Sequence, residues 1–300
     1  AHLSAERSKR GCGGRIHPIP VLLFFHAARY NFYVPTPLFH LSVAQELLRG
    51  PALTEPARRF LADQPGAFLF GNTAPDVQNL SGQARTATHF FDLPIHPGVE
   101  APWELLLKQH PRLGHPEWLG AAQTALIAGY LCHLMADWDW VQEIFFPVFG
   151  PLSTWGTFRQ RLYYHNVLRA YLDIRLLPEL RDGMADRLEA IDPAGWLPFV
   201  ADRHLVAWRE LLSPQFRPDA AAQTVEVFAA RQGIPSADYY ALLNSEASMQ
   251  AEIFSHLPYP RIEAYRQRLL VASARLVEEY LAPAIRPARL APALRVSRPT

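Results

Sequence analysis

From Pro37 to about Ala282, apolar residues recur three and four positions apart, and no segment alternates apolar with polar residues over a strand's length. That spacing commits the chain to helices, because a 3.6-residue period is what puts such positions on one face. Proline and glycine punctuate the pattern. Thr36-Pro37 pairs a capping residue with proline at a first helical position, and Gly50-Pro51 ends that helix. Thr54-Glu55-Pro56 starts another, which Pro65-Gly66 breaks. The longest pattern runs from Pro116 to about Phe146, with Leu119, Ala122, Leu126, Gly129, His133 and Asp137 at helical steps. Further patterns cover about 155–177, 202–212, 219–232, 238–256 and 260–282. The sequence therefore predicts an all-α, multi-helix single domain over residues 34–282.

The ends read differently. Residues 1–33 hold a basic start, Glu6 to Arg10, then a short apolar run that Pro18 and Pro20 interrupt. They are expected to be an N-terminal extension outside the fold of a cytoplasmic protein; the alternative is a secretory signal and a secreted protein. Residues 283–300, rich in proline and arginine and without periodicity, are expected to be a disordered tail.

Composition excludes several classes. With 49% hydrophobic and 19% charged residues the chain can build a core. Its 29 basic and 28 acidic residues leave a net charge of +1, so there is no basic excess of the kind a specific nucleic-acid patch needs. Two cysteines, Cys12 and Cys132, rule out a disulfide framework and a cysteine-only zinc site. No uninterrupted apolar run approaches the roughly 18 residues that span a bilayer, so no transmembrane segment is expected.

The chemistry-bearing residues lie on apolar helix faces. His40 shares a stripe with Val43, Ala44 and Leu47. His133 and Asp137 are four apart, so both side chains project from one face and can grip one cation. Around them the helix is almost wholly apolar, from Ile127 to Cys132, and a lone carboxylate there costs several kcal/mol unless paired or metal-bound. Asp76 follows a tight Gly71-Asn72-Thr73-Ala74-Pro75 segment, and His89 sits within Arg85-Thr86-Ala87-Thr88-His89-Phe90-Phe91. Singly, each reads equally as a core histidine, a salt-bridged pair or a helix cap.

As an ordered set they mean more. Pro37-x-x-His40, Gly71-x-x-Ala74-Pro75-Asp76, Arg85-x-x-Thr88-His89-Phe90 and Gly129-x-x-x-His133-x-x-x-Asp137 together resemble the zinc-dependent phospholipase C family, related to the S1/P1 nucleases. The resemblance covers about residues 35–145. It implies a helical domain holding one to three Zn2+ ions that hydrolyse a phosphoester, possible substrates including a phospholipid. By the same resemblance, Asp76, His89, His133 and Asp137 surround the most buried zinc. His40 belongs to a second site. Glu143 stands where the third site has a histidine, and His165 is that site's later ligand. Arg169 occupies the position of the family's next carboxylate, and Asp173 shares its face. Asp76 would bridge or act as catalytic base, with Asp139 near the ligand face and Arg85 as a phosphate-neutralising or pairing residue.

Three functions compete at this level. The first is phospholipase C-like cleavage of a phosphodiester by metal-activated water. The second is an S1/P1-like nuclease, and the third a non-catalytic, metal-stabilised helical binding protein. A helical HD-type phosphohydrolase is set aside, because no adjacent His-Asp pair occurs. Trp138, Trp140, Phe145, Phe146 and Phe149 read as core aromatics before a lipid-facing mouth. His96, His110 and His115 fall in a proline-rich loop, and His204 and His256 are isolated.

Overall fold

The computed structural model describes residues 34–285, and all regular secondary structure among them is helical, with no strand. In chain order the α-helices are α1 (Pro37–Arg49), α2 (Glu55–Ala62), α3 (Pro65–Gly71), α4 (Gln78–Ser81), α5 (Arg85–His89), α6 (Pro102–Gln109) and α7 (Ala121–Trp140). After these come α8 (Phe158–Leu180), α9 (Met184–Glu189), α10 (Asp202–Leu212), α11 (Thr224–Gln232), α12 (Ser236–Leu243), α13 (Glu246–Met249) and α14 (Tyr259–Ile285). Short 3-10 turns fill several joints, among them Ala74–Val77, and a π-helical stretch, Val141–Phe149, prolongs α7.

Local chemistry sets the ends of these helices. The Thr36 hydroxyl accepts from the Phe39 amide, and Pro37 fills a first-turn position that has no N–H to satisfy. Thr157 and Gln160 cap each other reciprocally at the start of α8. Three boundaries differ from the sequence reading. The expected loop around His96–His115 contains α6, whose Pro102 starts it and whose Leu106 is fully buried. The stretch expected to be helical over 238–256 is cut at Asn244, with Ser245 capping α13. Finally, α14 runs through Pro283 to Ile285, past the expected end at Ala282; at a helix's last turn proline removes few hydrogen bonds. With its π-helical continuation α7 remains the longest helical run, as the sequence pattern expects. The expected extension over 1–33 and the tail from 286 onward lie outside the described residues.

Helix α7 runs through one contiguous core whose buried members extend from Leu38 to Leu281. Every residue from Thr124 to Asp137 is buried, which is why its apolar character goes all the way round. Its closest neighbour is α3, and two glycines make that approach possible. A Cβ on Gly129 would stand 2.2 Å from the Phe68 carbonyl oxygen, and one on Gly71 would stand 2.1 Å from that of Leu126. The two backbones therefore touch, and this contact sets His133 one turn on beside Asn72. Gly129→Ala is expected to destabilise the protein by about 2–3 kcal/mol through overpacking. Urea unfolding checks it, and a loss below about 0.5 kcal/mol, the scale of an ordinary surface change, would contradict this backbone contact.

Candidate metal centre

Four elements bring six polar side chains to one point beside α7. His133 and Asp137 come from α7 itself, His40 from α1, Asp76 from the Ala74–Val77 turn, and Arg85 and His89 from α5. All six are buried, none more than 4% exposed. The His40 and His133 rings stack with centroids 3.9 Å apart, and His133 Nε2 lies 3.3 Å from His89 Nε2. Asp137 is the hub. Its Oδ1 is 3.2 Å from His40 Nε2, and its Oδ2 is 3.5 Å from His89 Nε2, 3.6 Å from His133 Nε2 and 2.6 Å from Arg85 Nη2. Asp76 Oδ1 stands 3.7 Å from His89 Nε2.

The far sides of two rings fix their proton positions. His133 Nδ1 is 2.8 Å from the Asn72 carbonyl oxygen, which can only accept, so Nδ1 carries the hydrogen. The Thr88 hydroxyl gives its proton to the Arg85 carbonyl and accepts from His89 Nδ1 at 2.9 Å. In their neutral forms both rings then aim an Nε2 lone pair inward, next to carboxylate oxygens. Lone pairs converging this closely require a cation between them, either a proton or a metal ion. His40 Nδ1 and Nε2, Asp76 Oδ1 and Asp137 Oδ1 also lack hydrogen-bond partners, although each is buried. The donor set fits a metal: His40, His133 and Asp137 form one group, and Asp76, His89 and His133 another, each with ligand atoms within 4.8 Å of one another. His133 belongs to both but has one nitrogen left to give. The two groups are therefore alternative or overlapping seats for one ion.

Charge follows from this geometry. Burial alone would raise the Asp137 pKa, but the neighbouring His133 and Arg85 charges, with the His133 and His40 ring nitrogens close by, hold its carboxyl well below the usual range. Burial also opposes ionisation of Asp76, yet the His89 ring 3.7 Å away and the His133 charge keep its pKa lowered. His89 is pushed down to about 3, by burial first and then by Arg85. His40 is lowered by burial and by the His133 charge. In His133 burial is outweighed by Asp137 and Asp76, and its pKa rises. With two carboxylates against one guanidinium the cluster carries one negative charge in excess. A proton on His133 balances it when no metal is bound.

The other expected site residues lie elsewhere. His165 is buried, and its Nε2 accepts the Trp140 indole N–H at 3.0 Å. Glu143 forms a surface ion pair with Arg268. Asp139 is partly buried beside Glu143, and burial followed by the Glu143 charge raises its pKa to about 6. Asp173 accepts from the Thr36 and Thr224 hydroxyls, the latter at 2.6 Å. No group combining His165, Glu143 or Asp173 with other metal-ligating side chains forms among the described residues. Trp140, Phe145 and Phe149 are buried core aromatics, while Trp138 and Phe146 are only partly covered.

Asp173 yields a stability prediction. Burial lifts its pKa to about 6 against the ordinary 3.8, with the hydroxyl bonds and Arg169 opposing. Near pH 5 the folded chain keeps this proton and the unfolded chain has lost it, so stability falls as pH rises. The wild type is expected to lose up to about 3 kcal/mol between pH 4 and pH 8 relative to Asp173→Asn. Paired urea titrations across that range measure the difference, and a flat difference would contradict a raised pKa.

Sequence reasoning left the supports of this cluster unseen. Asn72 and Thr88 act through a backbone oxygen and through a hydroxyl one residue before a ligand, and neither has a spacing signature. Tyr130 is another: its hydroxyl donates to the Thr88 carbonyl and pins the turn that carries His89. Phe90, directly after His89, takes φ 60°, a left-handed conformation that costs a non-glycine residue about 1–2 kcal/mol. Its ring is buried against His110 and Phe199, which holds it there. Comparison with family models, curated proteins and solved structures found no match for this chain.

Proposed function

We propose that this chain is a zinc-dependent phosphoester hydrolase that cleaves a phosphodiester in the manner of the phospholipase C family it resembles. The observation that supports this reading most is the meeting of His40, Asp76, His89, His133 and Asp137 in one buried cluster, with unshared lone pairs facing each other. Mixed imidazole and carboxylate donors suit zinc better than magnesium or calcium, which favour all-oxygen shells. Zinc held there supplies a Lewis acid for a phosphoryl oxygen and makes water acidic enough to ionise near neutral pH. The chain's own residues do the remaining work. Asn72 and Thr88 hold the His133 and His89 rings with Nε2 inward. Arg85 anchors Asp137 and keeps it ionised. Asp76 lines an open pocket next to the cluster, and in this reading its carboxylate takes a proton from an attacking water. Because His133 has a single nitrogen to offer, this reading takes one ion per chain.

The test pairs metal content by mass spectrometry with turnover of bis(4-nitrophenyl) phosphate before and after chelation. About one zinc per chain, with turnover lost on chelation and restored by zinc, is the expected result. Failure of zinc-loaded protein to cleave this diester, short-chain phosphatidylcholine or single-stranded DNA would reject the hydrolase reading. Cleavage of the DNA alone would instead support the nuclease branch. A second reading, a non-catalytic cluster that only stabilises the fold, is favoured by the complete burial of His89, His133 and Asp137 and by the Arg85–Asp137 pair. Bound zinc without hydrolysis of any phosphoester would support it.

A further inference from the structure

A pocket opens between the start of α1, the middle of α8 and helices α10 and α11, and Asp76 forms part of its wall. Its polar lining is unusual. Arg169 and Trp208 are each only 4% exposed, Arg231 is half-buried, and all three line the pocket. Arg169 Nε, Arg231 Nε and Trp208 Nε1 are buried without any hydrogen-bond partner. Every one of these orphans is a donor. Leaving a buried donor unmet costs about 1–3 kcal/mol, and more for a charged group, so three around one pocket point to a missing acceptor.

The surrounding charges narrow that acceptor. Arg169 is tied to the protein by a 3.1 Å bond from Nη1 to Asn166 Oδ1 and lies over the Phe228 ring at 4.4 Å. Asp173 also lines the pocket, but the Thr36 and Thr224 hydroxyls occupy its oxygens, and it partly offsets Arg169. Asp76 belongs to the histidine cluster. Arg231 forms no salt bridge with any carboxylate among the described residues, and Asp76 is the acid whose charge acts on it. Pro37 and Leu38 in the first turn of α1 line the pocket as well, and the positive end of a 13-residue helix favours an anion there. The rest of the wall includes Leu211, Leu212, Val227 and Phe228, which suit an apolar body.

We propose that this pocket binds a phosphate group carried on a small apolar body, with Arg169, Arg231 and the Trp208 indole N–H as its donors and Asp76 at its inner edge. Arginine donors around a compact oxyanion are a usual recognition of phosphate, and the indole N–H can add a further donor. The pocket deepens the hydrolase reading by placing the substrate's phosphate beside Asp76; it rests on that reading for turnover, but not for binding.

Binding is therefore measured on the full chain after chelation, by isothermal titration calorimetry with phenyl phosphate, inorganic phosphate and phenol. Phenyl phosphate is expected to bind saturably, more tightly than inorganic phosphate, and phenol to bind far more weakly. Arg231→Gln and Trp208→Phe, each checked for an unchanged circular dichroism spectrum and melting temperature, are each expected to weaken phenyl phosphate about tenfold, one lost hydrogen bond's worth. Trp208→Phe keeps the ring and removes only the N–H, so it guards against a loss that reflects packing alone. No saturable binding of phenyl phosphate, phenol binding as tightly, or affinities unchanged in both variants would overturn the proposal. Because the measurement needs no metal, binding without hydrolysis in the zinc-loaded protein would sink the hydrolase reading and leave the pocket standing. Turnover with no binding in the chelated protein would do the reverse.

Discussion

Asp137→Ala is expected to destabilise the metal-free protein by about 3–5 kcal/mol, the scale for removing one partner of a buried ion pair. Asp137 and Arg85 are 0% and 4% exposed and meet at 2.6 Å. Without the carboxylate, the guanidinium stays buried over the Phe91 ring, 4.9 Å away, without its direct ion-pair partner. Two further orphans, Arg85 Nε and Nη1, already lack partners. Urea unfolding in chelator measures the loss. Adding Arg85→Met to the Asp137→Ala background is expected to recover a large part of it, because no uncompensated charge is then left inside. A loss below about 1 kcal/mol in the single variant, the value of an exposed pair, would mean that water reaches the arginine.

His133→Ala is expected to lower zinc affinity by more than about 100-fold, beyond what losing an outer-shell partner of a ligand costs. The reason is topological. His133 belongs to both groups of candidate ligands, so its loss leaves His40 with Asp137 on one side and Asp76 with His89 on the other. Neither remnant reaches the three protein ligands of an ordinary zinc site. His165→Ala is the control, because His165 Nε2 is occupied by the Trp140 N–H and stands outside both groups. Its zinc affinity is expected to equal that of the wild type. Competition with a chromogenic chelator reads both variants. Equal losses in the two would mean that the ligand set extends to α8, and an unaffected His133→Ala would mean that the ion sits elsewhere.

What the sequence determined by itself is what depends on near neighbours in the chain. The helices at 37–49 and 202–212 follow from a local period and from residues such as Thr36 and Pro37 that satisfy or replace first-turn amides. The pairing of His133 with Asp137 is equally local, since an i, i+4 spacing on a helix puts two side chains together whatever else happens. Helix α6 escaped that reasoning because its eight residues are flanked by prolines and glycines that read as loop, and only packing of Leu106 against the core makes it worth forming.

Tertiary structure decided which distant residues meet. His40 and His165 both lie on apolar helix faces, with nothing in their local patterns to separate them. The crossing of α1 over α7 stacks His40 on His133, whereas the packing of α8 sends His165 to Trp140. The side chains missing at Gly71 and Gly129 let α3 and α7 touch, which brings the Asn72 carbonyl to His133 and fixes its inward nitrogen. Arg85 likewise becomes the partner of Asp137 only across 52 residues of chain. A periodic pattern records which face of a helix is buried, not which face of another helix it is buried against. That choice rests on the volumes and close approaches of side chains far apart in sequence, and it is what turns separate histidines and carboxylates into one charged cluster.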